Sequence, residues 1–74
     1  LTIRGLPLKK GDKIRVMIGV KIFVGEIINI DEYGNILIND VKGNPLTFRP
    51  KDAKFIQLVP EPEYESIKRR YQVK

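Results

Sequence analysis

Between Gly25 and Asp40 the chain reads GEIINIDEYGNILIND, two apolar runs joined by an acidic-aromatic turn. The lead-in IRVMIGVKIFV extends the first run backward, so that Ile22, Phe23 and Val24 precede Gly25 and Ile27, Ile28 and Ile30 follow it. A glycine inside a strand has no side chain to pack and marks a sharp bend or bulge. A long strand bent in its middle can serve both halves of a small barrel. The bland alternative, a glycine without architectural role, fits poorly with apolar residues on both sides. At the turn, Gly34 and Asn35 tolerate positive φ, and Asp31 can accept backbone N–H groups. The expectation is a bent hairpin closed at DEYGN.

The remaining segments are what such a hairpin needs to become a sheet. Ile14, Val16 and Ile18 alternate with Lys13, Arg15 and Met17, the period of a half-buried strand. A second strand spans about Lys21 to Asp31 and a third Ile36 to Val41. Lys42-Gly43-Asn44-Pro45 has the composition of a turn. Leu46 to Arg49 forms a short fourth strand stopped by Pro50, and Lys54 to Val59 a fifth. Residues 1–12 carry Gly5, Pro7 and Gly11, which interrupt any helix and predict an irregular arm or short strand. After Pro60 the acidic residues Glu61, Glu63 and Glu65 precede Lys68, Arg69 and Arg70, which complements a helix dipole. A short helix or tail is expected there, over residues 61–74, beside a barrel domain over residues 1–60. No internal repeat is evident.

A chain of 74 residues is one domain with a small core. Chains of this size lean on disulfides, metals or oligomerisation. Cysteine and histidine are absent, which removes disulfides, the common zinc sites and all imidazole or thiolate chemistry. Oligomerisation remains, and an oligomer is expected. The net charge of +5 points to a polyanionic partner, although basicity bears on attraction rather than fold. No apolar run approaches the roughly 20 residues of a membrane helix. No leader is recognisable, and the expected location is the cytoplasm.

The spacing Gly25, Asp31, Asn35, Asp40 resembles the first motif of the Sm/Sm-like family, including its Hfq branch. Gly19 and Phe23 also stand where that motif has a glycine and an apolar residue. Phe48-Arg49-Pro50-Lys51-Asp52-Ala53-Lys54-Phe55-Ile56 is similar to the second motif. The chain departs from the pattern at Gly34, where methionine is usual, and at Pro50, where glycine follows the arginine. The resemblance covers about residues 13–59 and implies an all-β, strongly bent five-stranded SH3-like barrel. It also implies a ring of six or seven subunits that binds uridine-rich single-stranded RNA in RNA processing or as an RNA chaperone. No cofactor is implied. Two other resemblances stay open. Pro50, Ala53 and Leu58-Val59-Pro60-Glu61 look like the Sm-like domain of the bacterial ribosome maturation factor. IDEYGN looks like part of an S-adenosylmethionine-using adenosyltransferase, whose active site needs a second domain.

Carried over by position, Tyr33 would stack on a base and Asn35 would read a uracil edge through its amide. Arg49 would cover the base or bind phosphate, and Lys51 would add charge. Gly25, Asp31 and Gly34 are expected to hold the bend and turn. On the alternative view Tyr33 covers the hairpin, Asn35 forms the turn, and Arg49 pairs with Asp31 or Asp40. The barrel is then a protein-interaction or ribosome-associated module. Lys9-Lys10 with Lys13, and Lys68-Arg69-Arg70, are further candidates for phosphate contact. Catalysis is not expected: adjacent carboxylates such as Asp31-Glu32 point to opposite faces of a strand, and Glu61-Glu63 lies in the tail. No strand-loop-helix unit surrounds the glycines to form a phosphate-binding fingerprint.

Overall fold

The computed structural model describes residues 2–3 and 5–72. Among these residues seven strands form in chain order: β1 (Thr2–Ile3), β2 (Leu6–Pro7), β3 (Lys13–Ile18), β4 (Lys21–Ile30), β5 (Ile36–Asp40), β6 (Pro45–Phe48) and β7 (Ala53–Leu58). A single 3₁₀ turn, Pro50–Asp52, links β6 to β7, and helix α1 (Glu61–Gln72) ends the described chain. The last five strands make one antiparallel sheet in the order β6-β5-β4-β3-β7. The protein is mostly β, with one helix at its C-terminal end.

Alternation along β3 and β5 turns Ile14, Val16, Ile36 and Ile38 to one face, where all four are fully buried. Ile27 of β4, Phe48 of β6 and Ala53 and Ile56 of β7 complete that core. The register between β4 and β5 shifts between Ile27 and Asn29, leaving Ile28 as the extra residue of a bulge. The bulge resets the two-residue period. Ile27 and Ile30, three positions apart, therefore both serve the same core, while Ile28 is exposed.

Gly25 is the glycine at which an added Cβ would meet the neighbouring strand. A Cβ placed there would lie 2.6 Å from the Asn39 carbonyl oxygen and 2.8 Å from the Asp40 Cα. Its φ is not in the left-handed region, so the constraint is space and not conformation. β5 can pass this close only where β4 has no side chain.

The sheet is open, and the expected closed barrel is not formed. β6 and β7 are its two edges and are not neighbours in the strand order. Four residues make β6; its first, Pro45, and Pro50 just beyond it have no N–H group to donate. Even so, the sheet must curl. Four strand spacings of about 4.8 Å would separate the edges of a flat sheet by roughly 19 Å. A link that includes a 3₁₀ turn, with a rise of about 2 Å per residue, does not span that distance.

Where the sequence predicts an irregular arm or a short strand, two short strands pair: Thr2 with Pro7 and Ile3 with Leu6. Ile3 and Leu8 enter the main core, so this segment covers one end of it. The opposite face of the sheet receives α1. Pro62 is accommodated in the first helical turn, where no intrahelical N–H is lost. Tyr64, 4% exposed, packs with Val41 and Val59, and Val24 and Ile67 close in around them. Lys13 and Arg15, which alternate away from the core on β3, pair with Glu61 (3.1 Å) and Glu63. Tyr64, Ile67 and Tyr71 follow helical spacing, an apolar stripe that the charges of this segment obscure.

Candidate nucleic-acid interface

The β4–β5 turn is organised by one carboxylate. Asp31 Oδ1 accepts the N–H groups of Tyr33 (2.9 Å) and Asn35 (2.8 Å), and Oδ2 accepts the Asn35 side-chain amide (2.9 Å). The Asp31 carbonyl accepts Gly34 N–H at 3.1 Å, and Asp31 N–H donates to the Asn35 carbonyl at 3.0 Å. Gly34 has φ +86°, a left-handed value that lets the turn rejoin the ladder. Partial burial works against the charge on Asp31. The Asn35 side chain and the N–H groups of Asn35, Tyr33 and Gly34 outweigh it and hold the carboxyl below its ordinary value.

The sign of that shift makes a prediction. A carboxyl with a lowered folded-state pKa stabilises above its ordinary pKa and loses the contribution as pH falls through the lowered value. Asp31→Asn keeps an acceptor but removes the charge. Its melting temperature should lie below the parent's at neutral pH, and the gap should close in acid. A gap independent of pH would show that the charge is irrelevant to the turn.

The same turn occurs twice. DVKGN at 40–44 matches DEYGN at 31–35 in its Asp, Gly and Asn. Asp40 Oδ1 accepts Lys42 N–H (2.9 Å) and Asn44 N–H (2.8 Å). Gly43, φ +89°, donates to the Asp40 carbonyl at 2.9 Å. The pentapeptide pattern was the available signal.

The β5–β6 register brings two candidate segments to one end of the sheet. Ile36 pairs with Phe48, so extending the ladder by one residue sets Asn35 beside Arg49. Tyr33 is 82% exposed at this end. Arg49 Nε donates to Asp52 Oδ2 at 2.9 Å, so its carboxylate partner is Asp52 and neither Asp31 nor Asp40. Lys51 is exposed in the 3₁₀ turn between them. Lys9 and Lys10 run toward the same end, because Gly11 N–H donates to the Ile27 carbonyl and Ile27 N–H to that of Asp12. Lys68 does not join them: it borders a hollow beside Lys42 and Gly43, at the other turn. Lys13 is held by Glu61, which with lesser charge effects raises its pKa against the cost of burial.

Among the described residues no group of three or more His, Cys, Asp or Glu could hold a metal ion. No described helix is long and apolar enough to cross a membrane. No family model matches the chain, and no curated protein or solved structure matches it either.

Proposed function

We propose that this chain is a cytoplasmic binding protein, not an enzyme, and that it takes single-stranded RNA at the end of the sheet formed by Asp31–Asn35 and Arg49–Asp52. The observation that carries the reading is Tyr33. Its ring stands clear of the core, 82% exposed, on a turn whose backbone Asp31 pins in place. An exposed aromatic on a rigid turn, with Arg49 and Lys51 on the adjoining segment, offers a base a stacking face and its phosphate a cation. Asn35 spends one amide hydrogen on Asp31 and retains its other N–H and its oxygen, the pair a uracil edge requires. The resemblance to Sm-like proteins supports assembly as a ring of six or seven subunits. β6 and β7 are the outermost strands of the sheet, and edge strands suit head-to-tail strand pairing. RNA processing or an RNA-chaperone role follows from that reading.

Fluorescence anisotropy with labelled oligouridine and oligoadenosine across a salt series, alongside native mass, tests the proposal. Tyr33→Ala should weaken both RNAs by about 1–3 kcal/mol, roughly 5- to 150-fold. Asn35→Ala should erode the preference for uridine. Arg49→Ala should weaken binding and flatten the salt slope, because fewer counterions are released. Three variants that keep the parent's mass and bind RNA as the parent does would reject this site. The interaction-module reading would then stand, and one observation favours it: Asn35 and Arg49 both spend bonds on their own loops.

A further inference from the structure

The long strand β4 is paired unevenly. It meets β3 from Lys21 to Glu26, but meets β5 only from Gly25 to Ile30. β5 ends at Asp40, and the last bond on that side runs from Val41 N–H to the Val24 carbonyl at 2.9 Å. In an antiparallel strand one residue's N–H and C=O point to the same side, and every second residue repeats that direction. Val24 thereby fixes the direction of Ile22. Both backbone groups of Ile22 face the side that β5 has left, and no backbone partner meets them among the described residues. An interior strand thus ends in a free half-edge.

That half-edge borders a groove of about 480 Å³, walled by the 40–44 turn and the last turns of α1. Ile22 and Tyr71 are 57% and 53% exposed along it. Lys21 and Lys42 stand at its rim, and Lys42 Nζ lies 5.3 Å from the Tyr71 ring centroid. The adjoining hollow adds Lys68 and Glu26. Asp40 also lines the groove, but its Oδ1 already accepts the Lys42 and Asn44 N–H groups.

Three needs therefore coincide: backbone groups in strand register, an apolar wall and a cationic rim. A single-stranded nucleic acid answers only the rim and the Tyr71 ring. An extended peptide answers all three. We propose that this groove takes an extended acidic peptide segment, added as a strand beside Lys21–Val24. Its main chain pairs with Ile22, an apolar side chain rests between Ile22 and Tyr71, and its alternating carboxylates, on the other face of the added strand, meet Lys21, while Lys42 adds positive potential at the rim. This inference is independent of RNA binding at the opposite turn.

The test uses the whole chain and a labelled peptide in which Asp or Glu alternates with Val. Binding should slow hydrogen exchange at the Ile22 amide. Methylating alternate peptide amides, on the face that pairs with β4, should weaken binding by about tenfold or more, and so should Lys42→Glu or Tyr71→Ala. Lys21→Glu provides a second rim variant if either of those unfolds by circular dichroism. Tyr33→Ala and Arg49→Ala should leave peptide affinity unchanged. The proposal is overturned if the peptide does not bind, or if the methylated peptide binds equally well. It is also overturned if oligouridine displaces the peptide and Lys42→Glu weakens oligouridine instead, which would make the groove a nucleic-acid site.

Discussion

Gly25→Val should destabilise the protein by about 3 kcal/mol or more and lower its melting temperature by roughly 12–24 °C. The first added atom already meets backbone, with the Asn39 carbonyl oxygen at 2.6 Å and the Asp40 Cα at 2.8 Å. Neither can swing aside as the end of a flexible side chain would. Relief requires β5 to move away from β4, which breaks the ladder from Gly25–Asp40 to Ile27–Ile38 and opens the core at Ile38. Gly25→Ala should show most of the effect, because it places the same Cβ. Gly43→Ala is the control: open space surrounds that position, but φ is +89°, so its cost of about 1–2 kcal/mol is conformational. Thermal melts of the three proteins separate crowding from backbone strain. A Gly25→Val midpoint equal to the parent's would remove the close approach from the account of this fold.

Tyr64→Ala should cost about 3 kcal/mol, the usual scale for emptying an aromatic site in a packed layer. Among the described residues Tyr64 is the most buried between α1 and the sheet, and Val41, Val59, Val24 and Ile67 share that cluster. The pairs from Lys13 and Arg15 to the helix are partly exposed to solvent, which screens them, so they add little to its anchoring. They do not hold α1 once the ring is gone. Burial, reinforced by Glu26, also pushes the Tyr64 hydroxyl above its ordinary pKa, so the phenol stays neutral in the packed state. Tyr64→Phe should therefore be mild. Urea unfolding followed by far-ultraviolet circular dichroism reads both variants. Loss of helical signal in Tyr64→Ala with the β signal retained is the expected result. Peptide binding beside Lys21–Val24 should fall with the helix, while the RNA proposed at Tyr33 should still bind. An undiminished helical signal would mean that the ion pairs anchor α1 after all.

How much of this was legible in advance depended on the range of each interaction. Strand positions on β3 and β5 follow from alternation, because Ile14 and Val16, or Ile36 and Ile38, need only a two-residue period to share a face. Gly34 and Asp31 are legible for a related reason: their bonds close within five residues. The bulge at Ile28 was not. Ile27 and Ile28 are equally apolar, and which one turns inward depends on the register that β5 imposes. The partner of Arg49 also escaped reading. Asp31, Asp40 and Asp52 are chemically alike, and only the 3₁₀ turn puts Asp52 within reach.

The sequence by itself determined the local conformations: five sheet strands, a hairpin turn at Asp31–Asn35, and a glycine where strands crowd. Periodicity, turn chemistry and dipole-matched charges act over a few residues, and the neighbours that satisfy them are fixed by the chain. The tertiary structure alone decided that the sheet stays open between β6 and β7, that α1 is an anchored layer, and that β4 outruns β5 to leave a half-edge beside a groove. Each of these joins residues far apart in the chain, such as Arg15 with Glu63 or Val24 with Tyr64. Those pairings rest on competition among many similar apolar and charged side chains, and only the packed molecule settles it.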